Sequence, residues 1–475
     1  MYNVKSLDSN EFICHEEILN SMEDAKKAFK NKSEIDRILE KAASLKGLSH
    51  KEAAVLLEVD DDETLNKIYK IANEIKEKIY GKRIVIFAPL YLSNYCVNEC
   101  KYCGLKCTNN IARRRLTQQE VREEVRALEA MGHKRLLLEA GEDDEHCPID
   151  YILECIETIY NEKFENGAIR RVNIDIAATT AENYKKLKEA GIGTYILFQE
   201  TYHKATYLEV HKGPKRNYEW HTEAMDRAML GGGIDDVGIG VLYGLYDYRY
   251  ETIALLMHAE HLEAVTGVGP HTISVPRLLP AEGVNYNEFP YLINDRDFKK
   301  VVAVIRLAVP YTGMILSTRE SVAFREELLG VGISQMSAGS SVGVGGYAKK
   351  DVFVQDGVEE KPQFYLADHR EPIDVIKALV KDGYIPSYCT ACYREGRTGD
   401  RFIPLAKSGQ IANCCLPNAL LTFEEYLRDY ADEELMEMGQ GLINNEINNI
   451  PNEKQRARTV DYLNRIRSGE RDLRF

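Results

Sequence analysis

The feature that most constrains the fold of this chain is an alternation of short apolar runs and amphipathic stretches between residues 83 and 338. Short apolar runs bounded by turn residues indicate buried strands, and apolar residues at every third or fourth position indicate helices. The strand runs cover residues 84–89, 135–140, 172–177, 194–199, 237–242, 271–277, 314–318 and 332–338. Eight strands alternating with helices over about 260 residues predict an α/β fold, a parallel (βα)8 barrel of the TIM type.

The segments on either side of this barrel have a different character. Residues 1–80 are polar with helical apolar stripes, and we expect them to form a helical extension. The barrel is expected over residues 81–345. The glycine-rich and charged residues 342–365 predict a linker. Residues 346–475 are then expected to form a helical C-terminal domain that carries an iron–sulfur cluster.

Composition limits the possible functions. The net charge of -14 argues against nucleic acid or an anionic membrane as the main partner, because both are polyanions. No run approaches the roughly 20 apolar residues of a membrane helix, and the N-terminus lacks the features of a secretory signal. The 11 cysteines occur in groups, which favours metal ligands over disulfides. We therefore expect a cytoplasmic protein.

One cysteine group directly follows the first predicted strand, in the loop Cys96-Val-Asn-Glu-Cys100-Lys-Tyr-Cys103. Thiolates are the ligands that bind iron–sulfur clusters. Zinc remains an alternative at this point, because Cys107 offers a fourth ligand nearby. Since functional groups collect at the carboxyl ends of barrel strands, we expect the loop at that face.

The spacing C-x3-C-x2-C resembles the signature of the radical S-adenosylmethionine (SAM) enzymes. Tyr102 matches the aromatic residue that usually precedes the third cysteine in that family. The resemblance implies that Cys96, Cys100 and Cys103 hold a 4Fe–4S cluster whose open iron is chelated by SAM. It also implies that an electron from the cluster breaks a sulfur–carbon bond of SAM and releases a 5'-deoxyadenosyl radical.

Small residues near two other strands resemble SAM contacts of the same family. Gly141-Glu142 follows the second strand, where the family has a turn that binds the SAM amine. Ala140 stands in place of the first glycine of that turn. The glycine-rich fifth strand around Gly240 resembles the segment that lies against adenine. An ordinary strand-end turn is the alternative for Gly141-Glu142.

Polar residues at the other strand ends are further candidates. The Glu200 carboxylate suits ribose hydroxyls or a substrate amine, and we expect Thr179 beside the cofactor as well. Arg277 either binds the SAM carboxylate or pairs with an acid. Arg319, with the Ser337 hydroxyl near it, suits an amino-acid carboxylate, and we place both among the catalytic residues. A solvated loop acid is the alternative for Glu200.

A second cysteine group lies in the C-terminal region, where Cys389-Thr-Ala-Cys392 is followed after 22 residues by Cys415. A redox disulfide is the first alternative, but such CxxC pairs accompany a βαβ unit and this region has a helical pattern. A zinc site that also uses Cys414 is the second alternative. We predict a second 4Fe–4S cluster held by Cys389, Cys392 and Cys415.

With both cysteine groups, the chain resembles over nearly its whole length the radical SAM tyrosine lyases that mature FeFe-hydrogenase. The resemblance implies cleavage of the Cα–Cβ bond of L-tyrosine to p-cresol and dehydroglycine. It implies that the fragment then yields carbon monoxide and cyanide, which bind an additional iron beside the second cluster. In that family a free cysteine and a histidine, matched to His271, hold this iron. The implied partners are an electron donor such as ferredoxin and the other hydrogenase maturases.

Two other functions remain open. One is a tyrosine lyase of another pathway, such as thiamine thiazole synthesis, whose enzymes share the barrel but lack the C-terminal cysteine group. The other is a non-catalytic scaffold that binds iron–sulfur clusters or zinc.

Overall fold

The structure, a computed structural model, describes residues 1–349 and 352–475. Two residues of the predicted linker, 350 and 351, lie outside the described part. None of the helices in the described residues combines the length and the apolar character needed to cross a membrane.

Eight parallel strands close into a barrel. They are β1 (Arg83–Ser93), β2 (Arg135–Ala140), β3 (Arg171–Asp175), β4 (Tyr195–Glu200), β5 (Val237–Val241), β6 (Thr272–Ser274), β7 (Gly313–Leu316) and β8 (Gln335–Ser337). Each strand pairs with the next one along the chain, and β8 pairs with β1 through Gln335 and Val85. The closed parallel sheet confirms the predicted (βα)8 fold.

Helices precede the barrel and surround it. The first group is α1 (Ser9–Phe12), α2 (His15–Ala28), α3 (Lys32–Ala43), α4 (His50–Leu57) and α5 (Asp62–Tyr80). The helices between strands are α6 (Gln118–Ala130), α7 (Ile149–Asn161), α8 (Ala181–Glu189), α9 (Lys204–Val210), α10 (Tyr218–Thr222), α11 (Ala224–Asp226), α12 (Tyr248–Thr266), α13 (Asp295–Ala308) and α14 (Val322–Leu329). Helices α4 and α5 pack against α13, so the first group covers one side of the barrel.

The inward side chains of the strands divide the lumen. Four of them, from β1, β2, β4 and β7, form an apolar cluster that we call the apolar layer, namely Phe87, Leu137, Ile196 and Ile315. On β1, Val85 lines a cavity on the side of the amino ends of the strands. Pro89, further along β1, lines a larger cavity on the side of the carboxyl ends. We call these the lower and the upper cavity.

The chain after the barrel returns to its amino end. It contains β9 (Val354–Gln355), β10 (Val358–Glu359), α15 (Pro372–Lys381), β11 (Ile385–Ser387), α16 (Ala391–Arg394), α17 (Gly399–Lys407), α18 (Ala412–Tyr430), α19 (Glu433–Ile447) and α20 (Glu453–Arg467). Strand β11, which the sequence did not predict, pairs in parallel with the start of β1, where Arg83 faces Ile385. This pairing brings the C-terminal cysteines next to the lower cavity, with Cys392 on α16 and Cys415 on α18.

Candidate functional site

The upper cavity, of about 190 Å³, brings together the cysteines of the loop after β1. Cys96, Cys100 and Cys103 all line it, and each is a free thiol. Cys107 is exposed at the surface. The loop therefore presents three thiols, and not four, to one enclosed space at the carboxyl ends of the strands.

The chemistry of these thiols fits a metal cluster. Burial raises the pKa of the Cys100 thiol, and it raises the pKa of Cys103 to about 11. Such thiols stay protonated at neutral pH unless a cation takes the place of the proton, and coordination to a metal does this. The three residues thus suit the 4Fe–4S cluster that radical SAM enzymes carry.

Arg113 ties the two ends of the cysteine loop together. Its Nη1 donates to the carbonyl oxygens of Asn94 and Leu105, both at 2.7 Å. Its Nη2 donates to the carbonyl oxygen of Lys106 at 2.6 Å. Because these carbonyls lie on both sides of the three cysteines, one guanidinium fixes the curvature of the loop. The run of three arginines at 113–115 is visible in the sequence but does not reveal this role.

The turn after β2 packs directly against the cysteine loop. A Cβ atom added at Gly141 would lie 2.2 Å from the Tyr95 carbonyl oxygen, so only glycine fits. The Glu142 carboxylate accepts a hydrogen bond of 2.6 Å from Asn98 Nδ2. Both Gly141 and Glu142 line the upper cavity, and their contact with SAM stays a prediction.

An ion pair between Glu200 and Lys215 forms another part of the wall. Lys215 Nζ lies 2.9 Å from Glu200 Oε1, and Glu200 has a left-handed φ of 68°. Non-glycine residues rarely adopt this conformation, and such strain concentrates at functional sites. Burial lowers the pKa of Lys215, but Glu200 and Cys100 outweigh it, so the pKa is raised. The ammonium lies 6.0 Å from the centre of the Tyr102 ring, which also lines the cavity.

Arg319 faces the upper cavity from the end of β7. Its guanidinium stacks on the Phe364 ring, and it makes no side-chain hydrogen bond within residues 1–349 and 352–475. Ser337 and Ser340 line the same cavity, and the buried Ser340 hydroxyl has no partner in the described part of the chain. A guanidinium fork with free donors beside two hydroxyls suits a carboxylate ligand.

Two carboxyl groups lie deeper in the upper cavity, at the ends of β2 and β3. Burial raises the pKa of Glu139 to about 7. It also raises the pKa of Asp175 well above its usual value, and the charge of Glu139 adds to this effect. The pair therefore holds protons that isolated acids would lose. The sequence did not single out these acids or Lys215, since only the folded barrel brings them into the cavity.

The segment predicted as a linker contributes to the same cavity. Gln363 and Phe364 line it, and the Gln363 side chain accepts a hydrogen bond of 2.6 Å from the Tyr91 hydroxyl. The Gln363 carbonyl accepts another, of 2.9 Å, from the Gly104 backbone. The segment after the barrel thus closes the wall next to the cysteine loop.

The environment of Arg277 differs from a cofactor contact. Its Nη1 lies 2.7 Å from Asp295, its Nη2 contacts Glu320, and it lies outside the upper cavity. The structure favours the acid pair over the SAM carboxylate for Arg277, because both edges of its fork are in use.

Thr179 and Gly240 also lie outside the residues that line the upper cavity. The Thr179 hydroxyl accepts a hydrogen bond of 2.8 Å from Asn183 at the start of α8. A Cβ at Gly240 would lie 2.3 Å from the Phe198 ring, so the glycine makes room for packing between β4 and β5. These contacts support structural roles for both residues.

The lower cavity, of about 50 Å³, brings together the C-terminal cysteines. Cys389, Cys392 and Cys415 line it as free thiols, and Cys414 lines it too. Burial raises the pKa of Cys415 to about 12, so a cation is again needed to hold a thiolate there. These residues fit a second metal cluster.

His271 lines the lower cavity immediately before β6. Its Nδ1 lies 3.4 Å from Asp236 Oδ1 and has no hydrogen-bond partner among the described residues. Its Nε2 lies 3.0 Å from the Tyr393 hydroxyl. A carboxylate behind the ring is the usual arrangement that orients a metal-binding histidine.

Two family models match the chain. Residues 90–259 match the radical SAM superfamily, and residues 274–385 match the biotin and thiamin synthesis associated domain. The chain is also 32% identical to a 2-iminoacetate synthase of Salmonella typhimurium over 351 residues, which are 73% of this chain and 89% of that protein.

Solved structures extend the similarity to nearly the whole length. The crystal structure of HydG, a maturase of the [FeFe]-hydrogenase, is 59% identical and has a TM-score of 0.94, with 98% of this chain and 100% of that chain covered. The HydG structure from Carboxydothermus hydrogenoformans is 41% identical and has a TM-score of 0.81, with coverage of 96% and 99%.

Proposed function

Because this chain belongs to the radical SAM superfamily and to the HydG maturases within it, we propose that it cleaves the Cα–Cβ bond of L-tyrosine. The products are p-cresol and dehydroglycine, and the latter then yields carbon monoxide and cyanide for an FeFe-hydrogenase. One observation carries this proposal: three cysteines line the upper cavity, and Cys389, Cys392 and Cys415, with Cys414 beside them, line the lower cavity on the other side of the apolar layer.

Cys96, Cys100 and Cys103 would hold the first cluster, which with bound SAM supplies a 5'-deoxyadenosyl radical. The chain contributes the surroundings. The Glu200 carboxylate offers acceptors for ribose hydroxyls, and the Lys215 ammonium offers a donor for a carboxylate. The buried wall keeps water and other hydrogen donors away from a radical.

Arg319 and the hydroxyls of Ser337 and Ser340 would bind the α-carboxylate of L-tyrosine. Glu139 and Asp175 offer acceptors for the amino or phenolic hydrogens of the substrate, and one of the two can stay protonated because burial raises both pKa values. Together these groups hold the amino acid at more than one polar group, which restricts its position in the cavity.

Cys389, Cys392 and Cys415 would hold the second cluster. The additional iron, which is cargo rather than a resident cofactor, would be bound by His271 and a free cysteine. 2-Iminoacetate, the compound in the name of the Salmonella relative, is dehydroglycine, and this agrees with the first half of the proposed reaction. An electron donor such as ferredoxin and the other hydrogenase maturases are the partners we propose.

The test is an anaerobic assay of the reconstituted full chain with SAM, dithionite and L-tyrosine. p-Cresol, cyanide and carbon monoxide are measured together. We expect all three from the unmodified chain and no p-cresol from Cys96→Ala. Cys107→Ala, which changes an exposed cysteine of the same loop, is the matched control and should keep p-cresol formation.

Three results would contradict the proposal. Persistent p-cresol in Cys96→Ala would exclude a radical started at this loop. p-Cresol without carbon monoxide or cyanide from the unmodified chain would indicate a tyrosine lyase of another pathway. Absence of all three products from a chain with both clusters loaded would favour a non-catalytic scaffold.

A further inference from the structure

The cysteine loop after β1 is paired through its backbone with the chain that follows α9. The Lys101 amide donates to the Val210 carbonyl at 2.9 Å, and the Glu99 amide donates to the Lys212 carbonyl at 3.1 Å. His211 lies between the two residues that accept these bonds, and its side chain is completely buried. The pairing therefore brings one buried histidine to the cysteine loop.

The His211 ring is held by the end of its own helix. Its Nδ1 lies 2.8 Å from the carbonyl oxygen of Tyr207 in the last turn of α9. A carbonyl oxygen only accepts hydrogen bonds, so Nδ1 carries the proton. Burial, and after it the charge of Lys215, lower the pKa of His211 to about 2, and the ring is therefore neutral. In a neutral ring with the proton on Nδ1, Nε2 is an acceptor.

This acceptor faces the hydroxyl of Tyr102. The distance from Tyr102 Oη to His211 Nε2 is 2.8 Å, and the two rings meet edge to face with their centres 5.4 Å apart. Tyr102 stands immediately before Cys103, is buried and lines the upper cavity. Among the described residues its hydroxyl has no second hydrogen-bond partner. Tyr102 therefore donates to His211, and the orientation of its ring is set from outside the cavity.

Glu200 is a second acceptor close to the same hydroxyl. Burial, and after it the charge of Glu200, raise the pKa of Tyr102 well above its usual value. A carboxylate accepts a stronger hydrogen bond than a neutral imidazole. Without the bond to His211, the buried hydroxyl would be drawn towards Glu200, because a buried donor without a partner is unfavourable. The bond to His211 thus keeps two neighbouring polar groups of the cavity wall apart.

We propose that His211 is a positioning residue of the upper cavity, which fixes the Tyr102 ring and leaves the Glu200 carboxylate free to bind SAM. His211 does not itself line the cavity, so it acts through Tyr102. The inference rests on the proposed function, in which this cavity binds SAM beside the first cluster. It adds a residue that the cysteine pattern does not contain.

The experiment measures SAM binding rather than turnover. The reconstituted full chain is left unreduced, so that SAM is not cleaved, and the Kd for SAM is determined by equilibrium dialysis. His211→Phe keeps a ring but removes the acceptor, and we expect its Kd to be about tenfold higher. His211→Gln can place an amide oxygen near the position of Nε2, and its Kd should stay within about threefold of the unmodified value. Iron content per chain is measured for every variant.

A second buried pair of the same kind supplies the matched control. His258 Nδ1 lies 2.8 Å from the Tyr202 hydroxyl, and these rings also meet edge to face, at 5.8 Å. Both residues are buried, and neither lines the upper cavity. His258→Phe should therefore lower the Tm about as much as His211→Phe and leave the Kd for SAM unchanged. This comparison separates positioning of Tyr102 from the general loss of a buried hydrogen bond.

A double-mutant comparison tests whether His211 acts through Tyr102. In a Tyr102→Phe background the donor is absent, so adding His211→Phe should change the Kd by less than about twofold. An effect as large as in the unmodified background would overturn the inference. His211→Asn is the second variant in case His211→Phe does not retain its iron. Asparagine can still donate to the Tyr207 carbonyl but does not reach the Tyr102 hydroxyl, and the same increase in Kd is expected.

The inference is also overturned if the variants without the acceptor carry full iron and bind SAM as tightly as the unmodified chain. An equal loss of affinity in His258→Phe would overturn it as well, because the effect would then be general destabilisation. Absence of SAM binding by the unmodified chain with its clusters loaded would overturn the proposed function at its first step, and this inference with it. SAM binding is measured separately from p-cresol, so failure of the tyrosine reaction alone is distinguishable from failure of the role of His211.

Discussion

Arg319 lies flat against Phe364, with its guanidinium carbon 3.3 Å from the centre of the phenyl ring. Arg319 follows β7, whereas Phe364 belongs to the segment after the barrel. Stacking uses the face of the guanidinium and leaves the N–H donors at its edge available. The segment after the barrel thereby orients the one guanidinium fork that lines the upper cavity within the described residues.

Arg319→Lys should weaken the use of L-tyrosine, because an ammonium cannot replace both the stack and the paired donors. Loss of a charge-assisted hydrogen bond costs about 1.5–3 kcal/mol, so kcat/KM for p-cresol formation should fall roughly tenfold to hundredfold. The measurement is the p-cresol rate against tyrosine concentration. Arg277→Lys is the control, since Arg277 is paired with Asp295 and Glu320 outside the cavity. Equal kcat/KM in Arg319→Lys and the unmodified chain would remove Arg319 from substrate binding.

The barrel was predictable because each strand carries its own local apolar signal. The loop of Cys96 could also be placed at the carboxyl end of β1, because a loop that follows a strand in the chain begins at the carboxyl end of that strand. Boundaries were less certain: residues 271–277 were expected as a strand, and β6 covers Thr272–Ser274. The regular strand ends before Pro276 because proline has no N–H for a ladder, and beyond it only an isolated bridge between Tyr243 and Arg277 continues the pairing with the chain after β5.

The residues of the upper cavity that the sequence does not predict are brought there by contacts between distant segments of the chain. Lys215 reaches Glu200 from a short 3-10 helix (Pro214–Arg216) that has no recognisable pattern in the sequence. Glu139 is the next-to-last residue of β2 and carries no local signal of its own. Phe364 lies in a stretch whose glycine and charge content resembles a linker. Local sequence carries periodicity and turn signals, but convergence of single side chains in a cavity follows only from the closed fold.

Cys389→Ser together with Cys392→Ser should separate the two halves of the proposed reaction. Serine keeps the size of the side chain but is a poor ligand for iron–sulfur clusters, so the second cluster should be lost. We expect p-cresol at close to the unmodified rate and carbon monoxide below about a tenth of the unmodified yield. The readouts are p-cresol by chromatography and carbon monoxide by trapping with a haem protein. Undiminished carbon monoxide would exclude these cysteines from the second step.

Stability should depend on pH through Glu139. Burial raises the pKa of this carboxyl from 4.5 to about 7, and Tyr91, Arg319 and Asp175 are the charged or titratable groups that face it. A raised folded pKa contributes stability that is present below the unfolded pKa and is lost as pH rises through the folded pKa. The Tm of the unmodified chain should therefore fall between about pH 4.5 and pH 7 by more than that of Glu139→Gln.

The measurement is thermal melting of the reconstituted chain by circular dichroism at several pH values. Other buried acids titrate in the same range, so the difference between the two proteins is the quantity of interest. Glu145→Gln changes an exposed acid and should reproduce the unmodified slope. Parallel curves for Glu139→Gln and the unmodified chain would show that Glu139 does not titrate in this window.

The apolar layer should limit transfer between the two cavities. Leu137→Phe adds volume to a layer that already contains Phe87, Ile196 and Ile315, and overpacking costs about 1–3 kcal/mol. We expect p-cresol formation to continue and the ratio of carbon monoxide to p-cresol to fall. Leu137→Met preserves the volume and serves as the control. An unchanged ratio in Leu137→Phe, with Tm within a few degrees of the control, would mean that the fragment does not pass this layer.

Asp236 should position His271 for the additional iron. Its carboxylate lies 3.4 Å from His271 Nδ1, and an acid behind the ring directs Nε2 towards a metal. Asp236→Asn keeps the shape but weakens this orientation, so binding of the additional iron should fall roughly tenfold to hundredfold. Iron content per chain and the high-spin electron paramagnetic resonance signal measure this, without relying on activity. Asp235→Asn is the matched control, since the neighbouring acid pairs with Lys188 at 3.2 Å. Equal loading in both variants would mean that His271 binds the iron without help from Asp236.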